Sequence, residues 1–291
     1  MIRPSRVDIR EVVALSTAFL RDCGSDSPRL DAEILAAHAL GLRRLDLYLY
    51  PDRPLTEPER DRLRGLVRRR AGGEPVAYLT GTRDFHGITL RVSPAVLIPR
   101  PETEVLVDAC LDFLAGRTDA CIADAGTGSG AVACAIAASH PTVRVVATDM
   151  SAEALAVAAG NVAALGLQER VSLVQCDLVS ALGPGLDAVV SNPPYIGERE
   201  RAGLDRSVRD FEPAIALFSG PDGMEATTRL VEQATTRVRA GGILVVEVGV
   251  PDQRDAVERL LRGRGAWMDV TGLRDAGRVV RAFRAVRRAG E

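Results

Sequence analysis

The sequence predicts an α/β protein in which a Rossmann-like, mainly parallel sheet follows a small helical bundle and a linking β-hairpin. Three observations support this fold class. The 291 residues exceed the usual size of one domain, the first quarter carries helix signals, and strand and helix patterns alternate after Pro101. We expect a helical domain at 1–75, a hairpin linker at 76–100 and the sheet domain at 101–291.

Helix signals dominate the chain up to about residue 73. Asp8, Ser27 and Thr56 each stand ahead of an apolar run, where N-cap residues are favoured. Thr56 and Glu59 have the spacing of a capping box. From 80 to 96 the pattern changes to short alternating runs broken by glycine and proline, which is typical of a hairpin.

Strand and helix patterns then alternate to the end of the chain, which predicts a parallel sheet with helices on both faces. Ligands of such sheets bind beyond the carboxyl ends of the strands, so the loops there hold the candidate site. The predicted strands are 121–125, 143–148, 171–175, 187–191 and 243–248; the predicted helices start at 131 and cover 152–165, 224–238 and 252–264.

The composition is that of an ordinary globular protein, with 46% apolar and 26% charged residues. A formal charge of -2 argues against direct binding to nucleic acid unless a local patch provides it. The five cysteines are scattered, which favours reduced, buried thiols. Because we find neither a membrane-spanning run nor a signal-peptide pattern, we expect a cytoplasmic protein without membrane contact.

A glycine-rich loop follows the first predicted strand, in the run 124–130 (DAGTGSG). Glycine lets the backbone bend tightly and approach a ligand closely. The spacing is not GxGxxG and no basic residue follows, so dinucleotide and P-loop readings are weakened. The alternative is a tight structural turn. The candidate cofactor residues are Gly126, Thr127, Gly128, Ser129 and Gly130.

Two carboxylates follow the next two strands. Asp149 can accept hydrogen bonds from both hydroxyls of a ribose, although aspartate is also a common helix N-cap. Asp177 can accept from an adenine amino group, with Leu178 against the ring. The loop and both carboxylates together predict an adenosine pocket. They resemble the class I methyltransferases that use S-adenosyl-L-methionine, in which the glycine loop carries the methionine part of the cofactor.

The most specific string follows the fourth predicted strand: Asn192, Pro193, Pro194 and Tyr195. Two prolines hold the backbone extended, so the Asn192 amide oxygen and the Pro193 carbonyl form a rigid pair of acceptors. Such a pair suits a planar NH2 group, on which Tyr195 can stack. A simple turn is the alternative. We interpret the string as the catalytic motif for methyl transfer to an amide or exocyclic amine nitrogen, and we also count Asn192 among the candidate cofactor residues.

At this point the chain resembles the release factor glutamine methyltransferases. The resemblance covers the motifs above and the strings at 31–35 (DAEIL), 73–75 (GEP), 78–81 (YLTG), 93–104 (SPAVLIPRPETE), 211–213 (FEP) and 247–249 (EVG). It implies a methyl transfer from S-adenosyl-L-methionine to the GGQ glutamine of class 1 peptide chain release factors, with Asn192 to Tyr195 holding that glutamine. It also implies that the N-terminal helices recognise the release factor.

Four alternatives stay open, one of them a noncatalytic binding module that would bind no cofactor. A nucleic-acid adenine methyltransferase could use the same motif, with the arginine-rich run 60–70 as its phosphate contact, but a solvated helix face is the commoner meaning. A ribosomal-protein glutamine methyltransferase is closer, and the string at 100–104 favours release factors. A nicotinamide-dependent oxidoreductase would leave Asn192 to Tyr195 unexplained. The isolated histidines give no support for a metal.

Overall fold

The computed structural model describes residues 7–249, 251–263, 265–275 and 277–289. The chain forms two compact units, one up to residue 81 together with 205–211, and one from 82 to 204 together with 212 onward. The division expected from the sequence pattern, at 1–75, 76–100 and 101–291, remains a proposal. No helix in the described ranges is long and apolar enough to cross a membrane.

The first unit is helical. Its core is made by the apolar faces of its longer helices, with Ile9, Leu20 and Leu35 almost fully buried. Its helices are α1 (Ile9–Asp22), α2 (Pro28–Leu40), α3 (Asp46–Leu49), α4 (Glu57–Ala71), α5 (Val76–Thr80) and, ninth in chain order, α9 (Arg206–Arg209).

All three helix starts can be compared with the structure, and Asp8 caps α1 by accepting a hydrogen bond from the Glu11 amide at 2.9 Å. The capping box is confirmed, because Thr56 accepts from the Glu59 amide and the Glu59 carboxylate accepts from the Thr56 amide. The prediction for Ser27 is wrong in part. It holds the N-cap position of α2, but its side chain makes no capping hydrogen bond, since its backbone (φ -133°, ψ 56°) is not in the extended conformation usual for a cap.

The second unit contains the hairpin and the large sheet. Its strands are β1 (Thr82–Phe85), β2 (Ile88–Arg91), β3 (Cys121–Ala125), β4 (Arg144–Asp149), β5 (Val171–Gln175), β6 (Leu186–Ser191), β7 (Val238–Glu247), β8 (Trp267–Arg274) and β9 (Val280–Arg287). Its helices are α6 (Glu104–Leu114), α7 (Ala131–Ser139), α8 (Ala152–Ala164), α10 (Ala214–Leu217), α11 (Glu225–Arg237) and α12 (Pro251–Gly263).

The seven-stranded sheet has the order β5-β4-β3-β6-β7-β9-β8. Strands β3 to β7 are parallel, and β8 and β9 form an antiparallel extension at one edge. The α/β class I fold predicted from the sequence is confirmed, with a helical N-terminal region and the hairpin. The alternating pattern did not predict α6, β8 or β9.

The strand order determines where along the sheet a ligand can bind. From β3 the chain moves outward to β4 and β5, then returns to β6 on the other side of β3. This reversal is the topological switch point of a doubly wound sheet, where a crevice opens beyond the carboxyl ends of the strands. The glycine loop follows β3 and Asn192 follows β6, so both lie at this point.

Helix packing on both faces keeps these strands rigid. Ile122 packs into one apolar core and Ala123 into the other, and both are fully buried. Residues of a strand point alternately to opposite faces, so a strand buried on both sides reads as a continuous apolar run. That is why β3 begins and ends where the sequence predicts, whereas β5, an edge strand with the predicted bounds, is only partly buried.

Candidate active site

An open pocket lies at the switch point, where doubly wound sheets bind their ligands. The predicted residues in its lining are Gly126, Thr127, Gly128, Ser129, Asp149, Asp177, Leu178, Asn192 and Pro194. Gly130, Pro193 and Tyr195, which also belong to the described chain, lie outside that lining.

The glycine loop needs glycine for two different reasons. Gly126 and Gly128 have φ values of 70° and 55°, and a Cβ on either would meet no atom within 4 Å, because both line the open pocket. At Gly130 a Cβ would lie 3.3 Å from Cβ of Ala158. The first two glycines therefore leave room for a ligand, whereas Gly130 allows close packing on α8.

Asp124 holds the glycine loop in place through hydrogen bonds. Its Oδ2 accepts hydrogen bonds from the Thr127 hydroxyl at 2.6 Å and the Ala133 amide at 3.1 Å. The side chain is buried, and this desolvation raises the pKa of Asp124 to about 6 despite both bonds. Asp124 therefore fixes the loop and the first turn of α7 and is not free to bind a ligand by the same oxygen.

Asp149 ties the loop to the neighbouring strand. Its Oδ2 accepts from the Gly128 amide at 2.9 Å, and its Oδ1 accepts from the Ser151 amide at 2.9 Å. The predicted alternative, a helix cap, is held by Ser151, whose hydroxyl accepts from the Ala154 amide. Each carboxylate oxygen has two acceptor positions, so Asp149 retains capacity for ribose hydroxyls.

Asp177 lies at the end of β5, and α11 approaches it. Arg229 forms an ion pair with it at 3.4 Å, and Gln233 donates to Oδ2 at 3.3 Å. This pair is solvent-exposed, and such pairs contribute little to stability. Leu178 is buried with φ 51°. Its carbonyl accepts from the Thr148 hydroxyl, which holds the turn that places both residues at the pocket.

Asn192 is oriented by Thr103. Its Nδ2 donates to the Thr103 Oγ1 at 3.2 Å. Thr103 is buried and lies directly before α6. Because one N–H of the amide is directed at Thr103, Oδ1 is the side-chain acceptor of Asn192 that remains for a ligand in the pocket.

Tyr195 points to the end of β7. Its hydroxyl donates to Glu247 Oε1 at 3.5 Å, and its carbonyl accepts from Gln253 Nε2 at 2.8 Å. A Cβ on Gly249 would lie 2.9 Å from Cδ2 of Tyr195, so glycine is required beside the ring. Burial and the nearby Glu247 carboxylate raise the pKa of Tyr195, which keeps the phenol protonated at neutral pH.

An ion pair fixes another wall of the pocket. Arg100, which lines the pocket, pairs with the buried carboxylate of Glu212. Glu212 also accepts from the Ile98 amide at 3.4 Å. Because the acidic partner is desolvated, removing Arg100 would leave a buried charge without compensation. The described residues contain no group of three His, Cys, Asp or Glu side chains that could hold a metal.

Family models match both parts of the chain. The PrmC N-terminal domain matches residues 11–81, and the methyltransferase small domain matches residues 103–206. A protein of Rhodopirellula baltica named release factor glutamine methyltransferase is 44% identical over 273 residues, 92% of each chain. This chain belongs to the release factor glutamine methyltransferase family.

Other relatives carry the same name and also match most of the chain. Proteins of the same name are 42% identical in Moorella thermoacetica, over 96% of this chain and 99% of the relative, and 41% identical in Salmonella typhimurium, over 89% and 91%. Among solved structures, the catalytic domain of human Mettl16 with an RNA hairpin aligns with a TM-score of 0.57 and 16% identity, covering 71% of this chain and 77% of that one. This structural likeness shows the class I methyltransferase fold.

Sequence reasoning gave no role to several residues that hold the family's motif in place. Thr103 and Glu247 lie in strings that carry the resemblance, so the signal was present, but only the fold brings them to Asn192 and Tyr195. Asn161 is the clearest omission. It is buried, and its Nδ2 donates to the Ser129 carbonyl at 2.8 Å and to β2, which ties the hairpin to the glycine loop.

Proposed function

We propose that the chain transfers a methyl group from S-adenosyl-L-methionine to the side-chain amide nitrogen of the glutamine in the GGQ motif of class 1 peptide chain release factors, and so modulates translation termination. The observation that carries this proposal is the orientation of Asn192. Its Nδ2 is bound to Thr103, so its Oδ1 is left as an acceptor beside the glycine-loop pocket.

The pocket residues fit the cofactor. Gly126 and Gly128 leave open space where any side chain would project, which suits the methionine part. Asp149 and Asp177 are acceptors for the ribose hydroxyls and the adenine amino group, and Leu178 offers an apolar surface to the ring. When bound, the cofactor supplies an electrophilic methyl group on a sulfonium. These assignments rest on the lining of the pocket and on the use of this methyl donor by class I methyltransferases.

The motif residues then act on the substrate amide. An amide nitrogen is a poor nucleophile because its lone pair is delocalised. Asn192 Oδ1 and the Pro193 carbonyl accept hydrogen bonds from its two N–H groups, which favours a pyramidal nitrogen whose lone pair faces the methyl group. Positive charge grows on the nitrogen as the C–N bond forms and the C–S bond breaks, and acceptors already in place stabilise that charge. One amide proton then leaves to solvent.

The partner is expected to be a protein. The near-neutral net charge of -2 offers no general attraction for a polyanion. The relatives that share 41% and 44% identity are named for release factor glutamine methylation. We assign recognition of the release factor body to the helical unit, which exposes Leu45, Tyr48, Leu49 and Tyr50 in and around α3.

Mass spectrometry of a class 1 release factor tests the function directly. The purified protein is incubated with the release factor and S-adenosyl-L-methionine, beside Asn192→Ala. We expect one added methyl on the GGQ glutamine. The rate should fall on the order of ten- to a hundredfold in the variant, because a hydrogen bond to developing charge contributes about 1.5–3 kcal/mol.

Two controls sharpen the result. Gln168→Ala removes an exposed amide side chain far along the chain from the motif, and it should methylate at the wild-type rate. A release factor with alanine in place of the GGQ glutamine should accept no methyl. Methylation of DNA, RNA or a ribosomal protein instead would retain the pocket chemistry and overturn the substrate assignment.

A further inference from the structure

Asn161 of α8 is a buried amide, and among the described residues it does not belong to the pocket lining. Its Oδ1 accepts from the Arg91 amide at 2.7 Å. Its Nδ2 donates to the Arg91 carbonyl at 2.9 Å and to the Ser129 carbonyl at 2.8 Å. A rotated side chain would turn its oxygen toward two carbonyls and its NH2 group toward an N–H donor, so these partners fix its orientation.

Two of the three bonds complete the free edge of the hairpin. In the described chain β1 and β2 pair only with each other, and Arg91 is the last residue of β2. The Asn161 side chain bonds to both backbone groups of Arg91, as a neighbouring strand would. The chain then continues into one wall of the pocket, which lies within 95–100. Asn161 therefore holds the start of that wall, and Glu212 holds its other end through the Ile98 amide.

The third bond holds the glycine loop, which forms another wall of the pocket. Ser129 stands between Gly128 and Gly130, whose φ values are 55° and 80°. Because glycine populates many backbone conformations, contacts from other elements must select the one that binds a ligand. Asp149 accepts from the Gly128 amide at the pocket, and Asn161 fixes the adjacent Ser129 carbonyl from outside it.

We propose that Asn161 is a positioning residue that couples two walls of the pocket: its amide holds the glycine loop in the conformation that binds the cofactor, and joins that loop to the end of β2. A ligand that orders the loop then also orders β2, which lies outside the pocket lining.

The coupling acts on affinity. Without Asn161 the loop samples more conformations, and cofactor binding has to order it, so part of the binding free energy is lost. The chemical step should change little, because Asn192 and Pro193 follow β6 and Glu212 still holds the far end of the wall.

This inference rests on the proposed use of S-adenosyl-L-methionine, and its main measurements need no release factor. Titration calorimetry gives the Kd of S-adenosyl-L-methionine. Hydrogen exchange with and without this cofactor follows one peptide of the glycine loop and one of β2. Both are measured for wild type, Asn161→Ala and Asn161→Ser, together with thermal unfolding and the rate of release factor methylation at saturating cofactor.

In both variants the shortened side chain cannot bridge β2 and the loop. The vacated polar space can admit water to the groups left behind, which favours folding. We expect the Kd to rise about tenfold, the effect of about one lost hydrogen bond, with kcat at saturating cofactor within about threefold of wild type. The cofactor should slow exchange in the loop and in β2 of wild type, but only in the loop of the variants.

Val162→Ala is the matched control. Val162 is the next residue of α8 and is buried in the apolar core, so its truncation loosens the same helix without touching these hydrogen bonds. This variant should unfold at a lower temperature than wild type, yet keep the wild-type Kd and the cofactor effect on β2.

Four outcomes would each overturn the inference: an unchanged Kd in the Asn161 variants, cofactor protection of β2 that persists in them, no such protection in wild type, or the same losses in Val162→Ala. If neither Asn161 variant folds, exchange in wild type still decides, because a cofactor without effect on β2 excludes the coupling.

Failure of the proposed function gives a different result. Wild type that binds the cofactor but methylates no release factor refutes the proposed substrate, and the affinity and exchange data still judge the coupling. Wild type that binds no cofactor refutes both.

Discussion

The Gly128 amide donates a hydrogen bond to Asp149 Oδ2 over 2.9 Å, which joins the glycine loop after β3 to the end of β4. One carboxylate thus fixes the loop backbone and faces the pocket at the position proposed for the ribose. We therefore expect a substitution of Asp149 to disturb both the glycine-loop backbone and the binding of the ribose.

Asp149→Asn is expected to weaken cofactor binding by about ten- to a hundredfold, since it loses charge-assisted hydrogen bonds of about 1.5–3 kcal/mol. The amide group can replace only one of the two acceptor oxygens. Titration calorimetry with S-adenosyl-L-methionine measures the loss. At saturating cofactor, kcat should stay within a few-fold of wild type, and a large kcat defect with unchanged affinity would contradict the assigned role.

A second prediction separates two effects of replacing a loop glycine: backbone strain, and loss of the space that a cofactor would fill. Gly128→Ala forces an alanine to φ 55° and projects its methyl group into the pocket. Gly166→Ala imposes the same kind of strain at φ 68°, also with open space around it, on an exposed turn outside the pocket lining. Both should cost about 1–2 kcal/mol of unfolding free energy.

Only Gly128→Ala should also weaken cofactor binding. Chemical denaturation measures the unfolding free energies, and calorimetry the cofactor affinities. Equal affinities in the two variants would show that the loop does not approach the cofactor closely.

The central strands β3 and β6 were predictable because burial on both faces leaves an apolar run that ends where the chain must turn. The start of β7 was not. Its first residues contain Gly241 and Gly242, which read as a turn, yet a register shift between β6 and β7 keeps them in the strand. Gly242 is required there, because a Cβ would lie 2.6 Å from the Asp187 carbonyl.

The sequence pattern did not predict strand β9, because the strand contains three arginines. Arg281 pairs with Asp275, and Arg287 donates to the Thr235 carbonyl, so charged residues occur in a strand that has a neighbouring strand on each side. Such partners depend on the tertiary fold. The same holds for the site: the motifs identify Asn192 and Tyr195, but Thr103 and Glu247 lie far from them along the chain.

A third prediction concerns stability and pH. Burial raises the pKa of Glu247 from its unfolded value to about 7 in the folded protein. The folded state therefore binds a proton more tightly than the unfolded state between about pH 4.5 and 7, and stability from this group falls as the pH rises through that range. Glu247→Gln has no such proton to lose.

The variant should therefore gain stability relative to wild type as the pH rises, by about 1–3 kcal/mol between pH 5 and pH 8. Denaturant unfolding gives the unfolding free energy of both proteins at both pH values. The packing effect of the substitution is the same at each pH, so it cancels when the differences between the proteins are compared. The pKa of Asp124 is raised in both proteins, so the contribution of Asp124 to the pH dependence also cancels. A constant gap between the proteins would show that Glu247 titrates normally.

The last prediction concerns the helical unit. Leu45 and Leu49 are 60% and 57% exposed, and Tyr48 and Tyr50 lie beside them. Exposed apolar groups this close together are typical of an interaction surface. Burying a leucine against a partner contributes about 1.5–3 kcal/mol, so Leu45→Glu with Leu49→Glu should raise the release factor KM at least about tenfold.

The cofactor affinity should not change in this double variant, because both substitutions lie in the helical unit and the cofactor residues lie in the other. Leu15→Glu is the control: Leu15 is 60% exposed, in α1 of the same unit, and adds the same kind of charge outside the α3 segment. An equal rise in KM for Leu15→Glu would indicate a general effect of negative charge. A KM unchanged by the double variant would place the release factor contact elsewhere on the protein.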